Sequence, residues 1–395
     1  MSTGRSALRK HRWWWIGGVA LTLLLVEGGA RLHLRYVLEK SPANKFRFNP
    51  YRVYEHVPGF SEDDRDGQVR MAINGSGFRR AREVLHEKPE GVCRIFLMGG
   101  SAAHGTSSAA PYPIRHVRNE ETVDACLERM LLEAMPERRF EVINAAVTGY
   151  QVFQHTAYLQ SELLDMDPDL VIFLDGHNDH YTSDAGHRYM LDYRYQFWTA
   201  RLQEPGPMAV LDLACMAMAR HSAAFRGFMA WRMARDAERA RERSDLATMD
   251  GREEERLAAH RQRARDQFLR AVETNLYLLR RQDVKALVSL QPELVLREES
   301  MRSAEEVGFV RPDPAVLELY PLVAEELQAV CYAWNVPFID MNPVFSSTRH
   351  KGAQLFIDYC HLTPAGGEVV AEALLPMVLA LLAQEITPPG VAPAR

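Results

Sequence analysis

Cysteine is scarce in this chain of 395 residues: there are five, widely scattered, and none forms a Cys-x-x-Cys pair. That excludes a zinc knuckle and offers no disulfide framework. The odd number leaves at least one thiol unpaired, and the five read mainly as small buried hydrophobes. A basic excess is missing too. The formal net charge is −5, against the positive balance that nucleic-acid binding requires, so no nucleic-acid partner is expected. The glycine-rich stretch "GGSAAHG" has no P-loop lysine, which removes the phosphate-cradling reading. There is no internal repeat, and nothing calls for a cofactor or a resident metal. What remains is ordinary globular stock, 47% hydrophobic and 25% charged, long enough for one large domain or two of common size.

Long apolar runs are equally few. The first follows Arg5, Arg9, Lys10 and Arg12 and extends from Trp13 to Val26, about 14 residues where a bilayer needs roughly 20. Extension to Leu32 reaches that length but takes in Glu27 and Arg31, which stand one helical turn apart and can pair. Trp13 to Trp15 sit where an interfacial aromatic belt belongs. Residues 1–35 are therefore expected to be a cytoplasmic basic flank and an uncleaved membrane helix, with the remaining chain extracytoplasmic. A cleaved signal peptide, with Gly28 and Ala30 before the cut, is the alternative.

Residues 36–90 are rich in Pro, Gly and charge, with "NGSG" as turn chemistry between short strand-like pieces. They are expected to form a lead-in packed on the following domain. From Val92 the pattern alternates. "CRIFLMG", "FEVINAAV", "PDLVIFLDG", "VKALVSLQP" and "VPFIDMN" read as strands covered on both faces, with helical spacing between them. That predicts an α/β domain with a mainly parallel sheet over 91–385. A strand-free helical insertion interrupts it at about 203–281. Its Met-rich first part reads as core packing, with a lipid-touching lid as the alternative. Its second part mixes both charge signs and reads as a solvated helical hairpin. Residues 386–395 are expected to be disordered.

In open parallel sheets ligands sit beyond the carboxyl ends of the strands. Reactive residues gather there: Ser101 after Gly99 and Gly100, Gly149 after the second strand, and Gly176, Asn178 and Asp179 after the third. Later, "DYCH" offers Asp358 and His361. A serine needs a base to become nucleophilic, and a histidine base needs a carboxylate to fix its tautomer. A tetrahedral oxyanion needs prearranged donors, which the Ser101 and Gly149 amides and the Asn178 side chain can supply.

Ser101, Gly149, Asn178 and His361, in that order, resemble the four blocks of the SGNH (GDSL-like) hydrolase superfamily over roughly Val92 to Ala383. "GHND" is similar to its Gly-x-Asn-Asp block and "DYCH" to its Asp-x-x-His block. The first block departs from the label, reading Gly-Gly-Ser-Ala without the Asp and Leu of "GDSL". The resemblance implies a three-layer α/β/α flavodoxin-like sandwich with Ser101 as nucleophile, His361 as base and Asp358 as its partner. It also implies an oxyanion hole of Ser101, Gly149 and Asn178, supported by Gly99, Gly100, Gly176 and Asp179. The expected activity is a serine esterase acting on small acyl esters such as acetyl esters, with an acyl-ester substrate, an envelope glycan or a lipid, as its partner. The alternatives are O-acetyl transfer to, or deacetylation of, an envelope polysaccharide, and an inactive membrane-tethered binding protein on the same scaffold. Among rival site readings, His177, Asp179, His180 and His187 have metal-ligand types but are read as hydrogen-bonding residues, with Asp179 bracing its own loop. His104 is read as a pocket-wall or solvent-facing residue.

Overall fold

A computed structural model describes residues 17–32, 45–63, 69–107, 117–184, 222–225, 231, 235, 251–310 and 314–383. The expectations for His187, Cys215, the C-terminal tail and most of the Met-rich segment lie outside the described residues. The chain divides into two compact units, one within Met1–Lys45 and Phe197–Gly251, the other within Phe46–Gln196 and Arg252–Arg395.

In the first unit residues 17–32 are helical (α1), and Val19, Leu21, Leu23, Leu24 and Leu25 are exposed. Arg31 Nε donates to Glu27 Oε1 at 2.8 Å, the pairing its spacing allows. The Glu27 carboxylate also accepts the N–H groups of Ala223 (2.8 Å) and Ala224 (3.1 Å) and the Ser222 hydroxyl (2.7 Å). It thereby satisfies amides that open a helical turn at 223–225.

The second unit is built on five parallel strands: β5 (Val92–Gly99), β6 (Arg139–Asn144), β7 (Leu170–Asp175), β8 (Lys285–Leu290) and β9 (Phe338–Asp340). Their spatial order is β6-β5-β7-β8-β9, the doubly wound arrangement in which the first strand lies between the second and third. Successive side chains of a strand point to opposite faces. Accordingly Ile95, Leu97, Leu170, Ile172 and Leu287 enter one core with α3 (Val123–Ala134) and α10 (Pro364–Ala383). Phe96, Met98, Val171, Phe173 and Val288 enter the other, with α4 (Val152–Ser161), α6 (Gly251–Arg281) and α8 (Pro314–Ala333). This is a three-layer α/β/α sandwich. Helix α10 is, among the described residues, the one helix long and apolar enough to cross a membrane, but half of it is buried, with Val370, Leu374 and Val378 in the core.

The charged stretch expected in a solvated hairpin runs into α6, one helix whose later turns bury Phe268, Val272, Leu276 and Leu279 against the sheet. Parallel β7 and β8 require a crossover, and this half of α6 supplies it. The run at β5 also hides a charge: Arg94 is fully buried. It donates to the carbonyls of Leu85 (2.9 Å), His86 (3.0 Å) and Met166 (2.7 Å) and pairs with Glu141 at 3.0 Å. Backbone carbonyls from two segments and a carboxylate from a third thus meet one guanidinium, which makes its burial tolerable.

Ahead of the sheet lie two antiparallel pairs, β1 (Phe46–Asn49) with β2 (Val53–His56) and β3 (Ser61–Asp63) with β4 (Val69–Ala72). Arg52 joins Glu55 (2.6 Å) to Glu162 after α4 (2.9 Å), and the Tyr54 hydroxyl donates to Thr148 O at 2.8 Å.

Candidate functional site

The site forms where β5 ends between β6 and β7, the point at which the strand order reverses and a crevice opens. Helix α2 (Ser101–His104) starts directly after β5. A side chain at Gly99 would place its Cβ 2.5 Å from Leu174 O and 2.7 Å from Ala103 Cβ, so the turn from β5 into α2 is too close to β7 for anything but glycine.

His361 reaches this turn from the far end of the chain. Residues Phe356 and Leu362 form an antiparallel bridge, and Ile357 N–H donates to His361 O at 2.8 Å, closing a tight loop around "DYCH". Within it the Asp358 carboxylate accepts the backbone N–H groups of Cys360 (3.1 Å) and His361 (3.0 Å), and lies 2.8 and 2.9 Å from His361 Nδ1. His361 Nε2 stands 2.6 Å from Ser101 Oγ. Asp358 is wholly buried, and Ser101 and His361 are 8% and 5% exposed. The chain Asp358–His361–Ser101 is unbroken. It requires the proton on Nδ1, donated to Asp358, and leaves the Nε2 lone pair facing the serine hydroxyl.

The loop is held from behind by a buried pair. Arg297 donates to the carbonyls of Phe345, Ala353 and His350, and to Glu306. Glu306 Oε1 then accepts the N–H groups of Leu355 (2.7 Å) and Phe356 (3.0 Å).

The other blocks arrive from β6 and β7. Gly149 adopts a left-handed φ of 83° in the turn after β6. Asn178 lies in the first turn of α5 (His177–Asp184), and its Nδ2 donates to Tyr150 O at 2.8 Å. A Cβ on Gly100 would fall 2.3 Å from that same Nδ2, so the Asn178 amide rests on the bare backbone next to the serine. Gln151 Nε2 donates to Asn178 O at 3.3 Å, and Asp179 Oδ1 accepts the Val152 N–H at 3.2 Å. Asp179 therefore braces the start of α4 as well as its own turn. Burial, reinforced by the charge of Asp175, pushes its carboxyl well above the usual range. Gly176, at φ 139°, sits where a Cβ would meet the Tyr320 hydroxyl at 2.7 Å.

The residues that raised a metal reading face different partners. His177 Nδ1 lies 2.8 Å from Glu293, which also accepts the Tyr320 hydroxyl at 3.0 Å. His180 packs edge-on against Phe268 and Tyr320, and burial lowers its pKa to about 3. Among the described residues, the His, Cys and carboxylate atoms that gather in a group of three or more are those of Asp358, Cys360 and His361, already engaged in the chain above. His104 faces no solvent: it is fully buried, with Nδ1 2.8 Å from Thr106 Oγ1, because the short helix α2 turns it into the domain. The described cysteines, Cys93, Cys126, Cys331 and Cys360, are buried.

No family model and no curated protein matches the sequence. Solved structures with a similar course include the acetyl xylan esterase AlAXEase (14% identity, TM-score 0.40, covering 72% of this chain and 99% of that one). The acetylxylan esterase Axe2 of Geobacillus stearothermophilus (13%, 0.40, 72% and 93%) and a GDSL-like lipase of Parabacteroides merdae (12%, 0.41, 73% and 96%) are similar to the same extent. These are distant likenesses, and the chemistry of this chain rests on its own atoms.

Proposed function

We propose that the protein is a serine esterase of the SGNH type that cleaves small acyl esters through an acyl-serine intermediate. The observation that carries this reading is the 2.6 Å contact between Ser101 Oγ and His361 Nε2, with Asp358 on the opposite ring nitrogen. His361 takes the hydroxyl proton as Ser101 Oγ attacks the acyl carbonyl, and Asp358 stabilises the imidazolium that forms. The oxyanion is received by the Ser101 and Gly149 amides and the Asn178 side chain, whose position is set before substrate arrives. His361 then protonates the leaving alcohol. Water, activated by the same imidazole, releases the acid and restores the serine.

The exposed apolar side chains of α1 support a membrane anchor, since a helix of this kind has no aqueous reason to stay bare. With the basic flank inside, the catalytic unit faces the extracytoplasmic side, where O-acyl groups of envelope glycans or lipids are the substrates in reach.

The test uses the full chain in detergent. Ser101→Ala and His361→Ala are each expected to abolish turnover of an activated acetyl ester and labelling by a fluorophosphonate, with unchanged circular dichroism. Near-normal turnover in either variant ends the proposal. Product analysis with an oligosaccharide acceptor present distinguishes hydrolysis from acyl transfer, which share the acyl-serine.

A further inference from the structure

Carbonyls in the last turn of a helix have no partner inside it. Helix α2 is a single turn, so every carbonyl from the serine onward falls in that class, and each must find a partner elsewhere. Ser101 O accepts the N–H groups of Gly105 (2.9 Å) and Thr106 (3.0 Å), and Ala102 O accepts that of Gly105 at 3.2 Å. Ala103 O accepts Asn144 Nδ2 at 3.0 Å. Gly105 O accepts the Val117 N–H at 3.0 Å, and one side chain reaches both it and His104 O. Arg79 Nη1 donates to His104 O and, at 2.8 Å, to Gly105 O, while Nη2 donates to Val117 O.

Arg79 belongs to the lead-in before the sheet, yet it is 1% exposed. Its own N–H is bonded to Asn144 O at 3.1 Å, so the strand end that supports Ala103 also fixes the arginine. The approach depends on Gly105, which has a left-handed φ of 80°: a Cβ there would lie 3.1 Å from Arg79 Nη1. Burying a guanidinium is costly, and the carboxylate closest to offsetting it, Asp124, is bonded to Asn144 Nδ2 at 2.7 Å. What the charge does obtain is charge-assisted hydrogen bonds to the carbonyls of His104, Gly105 and Val117.

We propose that Arg79 is a positioning residue for Ser101, clamping the carboxyl end of α2 so that the hydroxyl stays in line with His361. This rests on Ser101 being the nucleophile. It makes the lead-in a working part of the site, although Arg79 touches no reacting atom.

A displacement near 1 Å at a reacting group costs about 100-fold in rate. In the full chain, Arg79→Ala is therefore expected to lower kcat on an activated acetyl ester by about 100-fold with KM within about twofold. Fluorophosphonate labelling should slow in parallel. Millimolar guanidinium should restore part of kcat in this variant and leave the wild type unchanged. Arg79→Lys, which keeps the charge but cannot span both carbonyls and Val117, should lose about tenfold. Should the alanine variant fail to fold, the lysine variant decides alone. A kcat per titratable serine equal to wild type in Arg79→Lys, with only a lower melting temperature, overturns the proposal. So does a folded alanine variant changed only in KM. Ser101→Ala separates the two readings: if it keeps wild-type turnover, the serine assignment fails before Arg79 is at issue.

Discussion

Gly100→Ala should act as an oxyanion-hole mutation although it removes no polar atom. The backbone at Gly100 has φ −87° and ψ −149°, a negative φ of the kind L-residues adopt with a ψ beyond the extended region, so the left-handed penalty does not apply there. The conflict is with Asn178, whose Nδ2 would lie 2.3 Å from the new methyl carbon. Ordinary contact requires about 3.5 Å or more, so the amide must retreat by about 1 Å. That breaks its 2.8 Å bond to Tyr150 O and takes the donor out of line with the oxyanion. Loss of one such donor costs about 100- to 1000-fold in kcat, about 3 to 4 kcal/mol of transition-state stabilisation. Steady-state kinetics on an activated acetyl ester should show that loss in kcat, with KM little changed. The decisive measurement is the double-mutant cycle with Asn178→Ala. If both substitutions disable the same donor, the double variant should be no slower than Asn178→Ala alone. Multiplicative losses would refute the reasoning, as would a Gly100→Ala enzyme of wild-type kcat.

Further predictions concern stability. His180 in the folded chain accepts a proton only near pH 3, against 6.5 for the unstructured side chain. Between those values the unfolded chain binds the extra proton. Stability contributed by the neutral ring is thus present above 6.5 and is lost as pH falls toward 3, by up to about 1.4 kcal/mol per pH unit. His180→Phe should flatten that slope in urea titrations at pH 4, 5.5 and 7; an unchanged slope would show that His180 does not govern it. Glu306→Ala leaves Arg297 buried without its carboxylate and frees the amides of Leu355 and Phe356, so it should cost about 3 to 5 kcal/mol. A loss below about 1 kcal/mol on urea unfolding would mean water replaces the carboxylate.

The alternation of apolar strands and helices from Val92 onward carried the α/β class and the parallel sheet, because a strand covered on both faces has no polar side to alternate. The ends of those strands also carried the candidate residues, since strand ends are where a parallel sheet exposes backbone. Residues 251–281 were less legible: charged residues dominate the composition, while the buried stripe of Phe268, Val272 and Leu276 appears only once the helix is laid on the sheet. Asp358 and His361 were visible as a short motif. What brings them to Ser101 is not short at all, since 260 positions separate the two contacting side chains.

Local pattern, then, determined which segments become strands and which residues could react, because both depend on neighbours a few positions away. Only the tertiary structure decided that Arg79 and Asn144 would hold the serine helix, that Arg297 and Glu306 would hold the histidine loop, and that His104 would point inward. Those choices are made by carbonyls and amides left over when helices and turns end, and their partners are whatever the fold brings within about 3 Å. No local spacing encodes that.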